Sequence, residues 1–427
     1  MKQNFHILTL GCPKNEVDSE GIGSALLWKG LRPVDSPEDA DVILINTCGF
    51  IEDAKKESID EIFRIIGTRK ETQKVIVFGC LTERYSDEIK KEIPEIDAVF
   101  GVDSLRDIEG YITGSSEACD KPFQAEGYRN NSSYGYLKIA EGCDRKCSFC
   151  TIPSIRGGFR SLNPDTVLRK AEGMIKGGVK EIILIAQDIT SYGKDLGGYG
   201  LPDLIGEIAS IPGDFWMRLL YLYPVSIDER LLRAISENTK VCRYLDIPFQ
   251  HSDQRILGLM NRPGAGQTYR RLINEIRAAI PDITLRSSFI VGFPAESDEE
   301  FHNLLDFVRE SGFDRLGAFI YSNEEGTGAY KLRGQVPPDI RHQRYDELMT
   351  LQSGISLGKN ESMIGRTLKV VVDETGDSTA VCRYEGQAPE IDGVVLVDIG
   401  DRAPSVNEFV RVRITGAYDY DLRGELI

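Results

Sequence analysis

The sequence lacks two features, and each absence excludes a class of protein. No apolar run in its 427 residues approaches the roughly 18 that a bilayer-spanning helix needs, so we predict no membrane partner. There is no basic excess either, since 51 Lys and Arg stand against 67 Asp and Glu, for a formal net charge of −16. An acidic surface repels phosphate backbones and lipid headgroups, which argues against a protein that coats nucleic acid.

The sequence also lacks the marks of an exported protein. Its N-terminal stretch, MKQNFHILTLGCPKNEVDSE, has a short apolar run but no long hydrophobic region or small-residue cleavage site, so it predicts a first strand. The nine cysteines are odd in number and too sparse for a disulfide framework. We therefore predict a cytoplasmic protein whose cysteines are thiols or metal ligands. No helix carries an obvious packing seam, so the expected state is a monomer.

The patterns that are present divide the chain into three parts, α/β overall. Residues 1–129 alternate apolar runs with amphipathic stretches, which predicts an open parallel sheet. Residues 130–362 repeat a strand–helix rhythm six times and end in a connector helix, which predicts a partial (βα)6 TIM-like barrel with its working face at the carboxyl ends of the strands. Residues 363–427 contain short stretches of alternating apolar and polar residues, separated by turns with Gly, Asp and Pro. This pattern predicts a small antiparallel β-barrel of the oligonucleotide-binding (OB) type. The polar segment 126–135 is the predicted linker.

The sharpest motif is EGCDRKCSFC, in which Cys143, Cys147 and Cys150 follow the first strand of the central part. Three thiolates at this spacing can ligate three irons of a 4Fe–4S cluster and leave the fourth iron free for a small molecule. A zinc site would need a fourth protein ligand, and no His or Cys lies nearby in the sequence to supply one. A zinc knuckle or chance clustering is the alternative interpretation.

Three further cysteines each follow an apolar run: Cys12 in ILTLGC, Cys48 in LINTCG and Cys80 in VIVFGC. The carboxyl ends of parallel strands converge on one crevice, so these side chains are expected to meet although about thirty residues separate neighbours. The alternative is that they are inert buried thiols. The other cysteines are expected to occupy a loop or the core: Cys119, Cys242 and Cys382.

The Cys-x3-Cys-x2-Cys motif resembles that of the radical S-adenosylmethionine (SAM) superfamily. Together with the three N-terminal cysteines and a C-terminal barrel that resembles a TRAM domain, it makes the whole chain similar to the methylthiotransferases. Within that family, TLGCPKNEVDSE (9–20) and DYDLRGEL (419–426) resemble the branch that modifies an aspartate of ribosomal protein S-twelve. The tRNA-modifying branch typically has Gln-Met-Asn where this chain has Pro13, Lys14 and Asn15.

The resemblance implies SAM and two 4Fe–4S clusters as cofactors, with all six cysteines as catalytic and metal-binding residues. The cluster on the central three cysteines would bind and cleave SAM, giving a 5′-deoxyadenosyl radical that takes a hydrogen from the aspartate β-carbon. The cluster on the N-terminal three would deliver a methylated sulfur to that carbon, with the methyl group coming from a second SAM. An electron donor such as flavodoxin or ferredoxin is implied as a further partner.

Five other residues are candidates for contacts with SAM. Phe149 matches the superfamily's aromatic position between the last two cysteines, and Gln187 and Asp188 end the second strand of the central part. The alternatives are simple packing for Phe149 and a helix-capping turn for the pair. Arg286 would reach the SAM carboxylate, and Gly292, in SSFIVGFP, would let the backbone approach the adenine closely.

Protein-directed and tRNA-directed enzymes share this chemistry, so charge has to discriminate between them. Residues 364–427 hold 7 basic and 12 acidic side chains, and residues 1–129 hold 16 and 25. An acidic accessory barrel disfavours phosphate binding and suits a basic ribosomal protein, which favours ribosomal protein S-twelve as the partner. The first alternative is a tRNA methylthiotransferase acting on a modified adenosine near the anticodon. The second is a non-catalytic iron–sulfur electron carrier or nucleic-acid-binding module, and the three-cysteine sites argue against a simple carrier because it would use four ligands per cluster.

Overall fold

The computed structural model describes residues 3–114, 132–400 and 403–427. Cys119 and most of the predicted linker, residues 126–131, lie outside the described residues. Over the described ranges, no helix is both long and apolar enough to cross a membrane.

The N-terminal part is an open sheet of parallel strands with helices packed around it. Its elements are β1 (Asn4–Thr9), α1 (Pro13–Trp28), β2 (Arg32–Pro33), β3 (Val42–Thr47), α2 (Glu52–Thr68), β4 (Lys74–Gly79), α3 (Cys80–Glu92), β5 (Ala98–Val99) and α4 (Leu105–Thr113). The strand order is β2–β1–β3–β4–β5, and each neighbouring pair is parallel. Strand β3, VILINT, is buried at every position, as expected for a strand covered by helices on both faces.

The central part is a partial barrel whose six main strands run parallel and lie side by side in sequence order. Its elements are β6 (Tyr134–Lys138), β7 (Ala140–Glu141), α5 (Ile152–Arg156), β8 (Arg160–Ser161), α6 (Pro164–Lys176), β9 (Glu181–Ile185), α7 (Leu201–Ser210), β10 (Trp216–Leu219), α8 (Glu229–Glu237), β11 (Val241–Asp246), α9 (Gln254–Leu259), α10 (Gly266–Ala279), β12 (Thr284–Val291), α11 (Asp298–Ser311), β13 (Arg315–Ile320) and α12 (Pro338–Glu361). The sheet order is β6–β9–β10–β11–β12–β13, and β7 pairs with β8 in a short antiparallel ribbon. All six strands therefore end at one edge, where the predicted working face lies.

The C-terminal part is a closed barrel of five strands. They are β14 (Thr367–Thr375), β15 (Thr379–Tyr384), β16 (Val395–Asp398), β17 (Phe409–Ala417) and β18 (Leu422–Leu426). The last strand, β18, pairs with β16 in parallel, whereas every other pairing in the barrel is antiparallel. A closed ring of alternating strands needs an even number, so five strands force one parallel pair. With this detail corrected, the predicted fold class is confirmed in all three parts.

The C-terminal barrel packs over the inner face of the six-stranded sheet. Trp216 of β10 packs against Phe409 of β17 with ring centroids 4.8 Å apart. Glu181 of β9 forms ion pairs with Arg218 of β10 and with Arg383 of β15, the latter at 2.5 Å, and all three side chains are buried. Apolar contact and a buried ionic network thus fix the barrel on the sheet.

The N-terminal sheet docks on the rim of the partial barrel through Glu324, which follows β13. The buried carboxylate of Glu324 lies 3.1 Å from Lys55 Nζ of α2 and 3.2 Å from Arg84 Nη1 of α3. The neighbouring Glu325 accepts a hydrogen bond of 2.7 Å from the Tyr85 hydroxyl. Helices α2 and α3 follow the carboxyl ends of β3 and β4, so the carboxyl edge of the N-terminal sheet faces the carboxyl edge of the partial barrel.

Candidate active site

The N-terminal cysteines lie at the carboxyl edge of the first sheet, each in the turn that follows its strand. Cys12 immediately precedes α1, Cys48 follows β3, and Cys80 is the first residue of α3. We call these three residues the N-terminal cysteine group.

Glycines allow the three turns to converge. Gly11 has φ +96°, and a Cβ atom there would lie 3.0 Å from the Cys48 sulfur. Gly79, which precedes Cys80, has φ +108°, and a Cβ atom there would lie 2.4 Å from Asn46 Oδ1. Neither position has room for a side chain, so the cysteine-bearing turns pack directly against one another.

The thiols of the N-terminal cysteine group are close enough to affect one another's ionisation. Burial raises the pKa of the Cys80 thiol to about 12, with Cys12 and Cys48 adding to the shift. Burial also raises the pKa of Cys48, again with a contribution from Cys12. The structure therefore brings together the three side chains that the strand-end rule predicted would meet.

The central cysteines lie in the loop between β7 and α5, at the rim of the partial barrel. Ser148, within this loop, donates from its backbone N to the Met260 carbonyl at 2.9 Å and from its hydroxyl to the Leu259 carbonyl at 2.7 Å. These bonds anchor the loop to the end of α9, and all three thiols are half-buried. We call these residues the central cysteine group: Cys143, Cys147 and Cys150.

Hydrogen-bond donors point at two sulfurs of the central cysteine group. The Ile152 backbone N donates to Cys150 Sγ at 3.4 Å, and Arg262 Nη1 lies 3.7 Å from Cys147 Sγ. Burial raises the pKa of the Cys150 thiol to about 12, and the hydrogen bond from Ile152 opposes this shift only in part. Gly142, just before the first cysteine, has φ +74°, and a Cβ atom there would lie 2.1 Å from a backbone oxygen. The loop conformation therefore requires glycine at this position.

One buried side chain, Arg156, links the two groups, and no sequence pattern pointed to it. It lies in α5, six residues after Cys150, and its side chain is 2% exposed. Its Nη2 donates to Asn15 Oδ1 at 2.7 Å and lies 3.5 Å from Cys80 Sγ. The guanidinium thus crosses from the loop region of the central cysteine group to a cysteine of the N-terminal one.

Arg156 belongs to a closed network of two bases and two acids. Its Nη1 lies 2.9 Å from Asp18 Oδ2 and 3.2 Å from Glu141 Oε1, and Lys138 Nζ lies 2.6 Å from both carboxylates. Burial alone would raise the pKa of Glu141, but Lys138 and Arg156 outweigh it and lower that pKa to about 2. The Glu141 carboxylate is therefore charged at neutral pH, and the network holds α1 against the partial barrel. Arg156 and Asp18 lie 138 residues apart in the sequence, so only the fold brings them together.

Two of the predicted SAM contacts, Gln187 and Asp188, lie where β9 ends. Gln187 Nε2 donates to Glu141 Oε1 at 3.0 Å. Asp188 is buried and accepts from Arg145 Nε at 2.9 Å and from the Ser191 hydroxyl at 2.8 Å. Asp188 thereby holds Arg145, a residue of the central cysteine loop. Contact of either residue with SAM stays a prediction.

The other predicted SAM contacts have protein partners of their own. Arg286 Nη1 donates to Asp246 Oδ1 at 2.9 Å. Gly292 has φ +71°, and a Cβ atom there would lie 2.4 Å from the Arg341 side chain, so the glycine makes room for α12. Phe149 is half-buried and packs against the main core. Their roles in binding SAM stay predictions as well.

The donor set at each cysteine group fits an iron–sulfur cluster. Among the described residues, no three His, Cys, Asp or Glu side chains are placed to share one metal ion. A 4Fe–4S cluster does not require this, because each thiolate binds a different iron. Each group offers three thiols and hydrogen-bond donors directed at sulfur, which leaves one iron of a cluster available for another ligand.

Comparisons with known proteins agree with this architecture. Family models match over residues 4–101 (Uncharacterized protein family UPF0004), 137–308 (Radical SAM superfamily) and 364–427 (TRAM domain). The radical SAM methyltransferase TsrM from Kitasatospora setae shares the fold, with TM-score 0.56 over 75% of each chain and 13% identity. The radical SAM enzyme OxsB gives TM-score 0.52 over 83% of this chain and 56% of its own, also at 13% identity. Fold and cysteine motif define a radical SAM enzyme with an additional N-terminal domain and a TRAM domain.

Closer relatives narrow this class. A protein from Thermodesulfovibrio yellowstonii, "Ribosomal protein uS12 methylthiotransferase RimO", is 50% identical over 100% of both chains. Its namesake from Desulfitobacterium hafniense is 45% identical over 100% of this chain and 99% of its own. The Thermotoga maritima relative of the same name is 42% identical over 99% of each. The chain belongs to the RimO family of ribosomal protein methylthiotransferases.

Proposed function

We propose that this protein attaches a methylthio group to the β-carbon of an aspartate in ribosomal protein uS12. The observation that carries the proposal is the pair of three-cysteine groups on facing edges of two domains, linked by Arg156. Methylthio transfer to an unactivated carbon needs both a way to remove a hydrogen and a source of sulfur. Of two cluster sites that face one another, one can serve hydrogen removal and the other can supply the sulfur.

The cofactors are SAM and two 4Fe–4S clusters, one on the central and one on the N-terminal cysteine group. When bound, the first cluster and SAM supply the radical that removes hydrogen, and the second cluster supplies the sulfur. The chain orients and shields these groups: Asp188 holds the central cysteine loop through Arg145, and Arg156 directs its guanidinium at Cys80. The candidate SAM contacts are Phe149, Gln187, Asp188, Arg286 and Gly292.

The net acidic charge of the TRAM domain favours a protein as the substrate over a tRNA. The TRAM domain has 12 acidic and 7 basic residues over 364–427, which disfavours phosphate binding. The same proposal includes a cytoplasmic location, a monomeric enzyme, and an electron donor such as flavodoxin or ferredoxin. It divides the chain into a methylthiotransferase domain (1–129), a radical SAM domain with connector helix (130–362) and a TRAM domain (363–427).

A competition assay tests this function. The anaerobically reconstituted enzyme, SAM and a reductant are mixed with a peptide covering the aspartate loop of uS12 and with a tRNA anticodon stem-loop, and both substrates are analysed by mass spectrometry. We expect a methylthio adduct on the aspartate of the peptide and none on the RNA. An adduct on the RNA alone would replace this proposal with the tRNA-directed one, and protein that takes up only zinc would remove both.

A further inference from the structure

Lys14 is a buried ammonium with no anionic partner in the part of the chain that the structure describes. The residue is 8% exposed. Across the described ranges, no carboxylate oxygen lies within 4.0 Å of its Nζ and no acceptor hydrogen-bonds to it. A buried lysine is rarely left unpaired, because removing an ammonium from water is unfavourable unless an anion compensates its charge. Such a position calls for an anion that the polypeptide itself does not provide.

The surroundings of Lys14 hold its ammonium without neutralising it. Nζ lies 3.3 Å from the centre of the Tyr221 ring. Tyr221 has φ +66°, a conformation that a bulky residue rarely adopts. The backbone is therefore strained at the residue whose ring lies against Lys14. The nearby acid, Asp246, is already engaged, since one oxygen accepts from Tyr221 N at 3.1 Å and the other from Arg286 at 2.9 Å. A ring face compensates a buried cation less than a carboxylate does.

Lys14 also lies between the two cysteine groups. It comes two residues after Cys12 at the start of α1, and it precedes Asn15, which accepts from Arg156 of α5. Burial lowers the pKa of Lys14, whereas Cys12 on one side and Asp246 of the partial barrel on the other act to raise it. In the proposed function, the reacting carbon of the substrate lies in the space between the two cysteine groups, within reach of both.

We propose that the Lys14 ammonium binds the side-chain carboxylate of the target aspartate, an inference that rests on the proposed function. In aspartate the carboxylate is bonded directly to the β-carbon that reacts. A charge-assisted contact of about 2.8 Å between Nζ and a carboxylate oxygen therefore fixes the position of that carbon as well. Tyr221 holds the ammonium from the opposite side. Lys14 is in this way a specificity-determining residue, which selects a substrate with an anion next to the reacting carbon.

Equilibrium binding to the reconstituted holoenzyme tests the proposal. Two peptides are used, one with the uS12 aspartate loop and one with asparagine in place of the target aspartate, against the wild type and Lys14→Met. We expect Lys14→Met to weaken binding of the aspartate peptide roughly 10- to 100-fold, the range for a charged hydrogen bond, and to leave the weak binding of the asparagine peptide unchanged. Lys14→Arg, which keeps the charge, should retain a preference for aspartate.

The matched control is Lys74→Met, at an exposed lysine whose Nζ lies 5.5 Å from the centre of the Tyr111 ring. It should bind both peptides as the wild type does. Iron content, affinity for SAM and the reduction potential of each cluster are measured for every variant, because Lys14 could alternatively pair with SAM or with the neighbouring cluster. In the proposed role, all three quantities stay at their wild-type values in Lys14→Met.

Three results would overturn the proposal. The first is an equal loss, or no loss, for the aspartate and asparagine peptides. The second is weaker SAM binding with peptide affinity intact, which would assign Lys14 to the SAM carboxylate. The third is a shifted cluster potential or lost iron with peptide affinity intact, which would make Lys14 a counter-ion of the cluster. A wild-type enzyme that modifies RNA and binds neither peptide would instead refute the proposed function itself.

Discussion

Replacing Arg156 by methionine should loosen the interface between α1 and the partial barrel. Methionine is uncharged and of similar length, so it removes the guanidinium without leaving a large cavity. In the native protein that guanidinium contacts Asp18 at 2.9 Å, Glu141 at 3.2 Å and Asn15 at 2.7 Å. In the variant, Lys138 remains 2.6 Å from both carboxylates as their ion-pair partner.

The size of the destabilisation in Arg156→Met follows from the burial of the ion pairs that it removes. Removing one partner of a buried ion pair costs about 3–5 kcal/mol, and the remaining lysine puts this case near the lower end. A loss of about 3 kcal/mol in the free energy of local opening makes amide hydrogen exchange roughly 100-fold faster. We expect this acceleration in the first turns of α1 and in α5, measured by mass spectrometry on the reconstituted enzyme.

The control substitution is Arg160→Met, four residues further along the chain. Arg160 forms an ion pair with Asp103 at 2.7 Å, but its side chain is 64% exposed. A solvent-exposed pair of this kind contributes about 0–1 kcal/mol, so exchange in α1 should hardly change. If Arg156→Met exchanged no faster than Arg160→Met, the guanidinium would not hold the two domains together, and the reasoning about the network would be wrong.

Three further predictions concern the domain contacts and the cluster sites. Burial alone would raise the pKa of Glu181, but its two arginine partners hold that pKa below its ordinary value of about 4.3, so the carboxylate stays charged from pH 6 to pH 8. Glu181→Gln should therefore lower the unfolding temperature by the same amount at both pH values. A smaller difference in unfolding temperature between wild type and variant at pH 6 than at pH 8 would contradict this. Gly142→Ala, whose Cβ would overlap a backbone oxygen, should reduce bound iron by about half, whereas Gly173→Ala, in α6 with open space around it, should keep its iron; equal iron in both would refute the steric argument. Cys48→Ala should also lose about half the iron while Cys382→Ala, buried in the TRAM domain, keeps all of it; full iron in the first variant would remove Cys48 from the ligand set.

The residues that sequence reasoning placed correctly obey rules that hold for any sheet. Cys12, Cys48 and Cys80 are far apart in the chain, yet each follows an apolar run, and the ends of parallel strands meet at one edge. The six strands of the partial barrel could be located for a similar reason, because each is a short apolar run between amphipathic helices. These features depend on local pattern and on a topology that local pattern determines.

The residues that could not be predicted depend on contacts between domains. Arg156 meets Asn15, Asp18 and Cys80 across the contact between the partial barrel and the N-terminal part, and the spacing of these residues in the sequence does not predict that contact. The sequence of α1 contains a weaker indication of the site. Polar residues such as Lys14 and Ser19 occupy positions that the fold buries, where an ordinary amphipathic helix has apolar residues. Buried polar residues on a helix next to a ligand cysteine indicate that the helix faces a site.

The most direct test of the proposed radical chemistry follows a hydrogen atom from substrate to cofactor. A uS12 peptide with deuterium on the β-carbon of the target aspartate is incubated anaerobically with the reconstituted enzyme, SAM and a reductant, and the products are separated for mass spectrometry. We expect deuterium in the released 5′-deoxyadenosine and a methylthio group on the same aspartate. 5′-Deoxyadenosine without deuterium, together with an unmodified peptide, would contradict it.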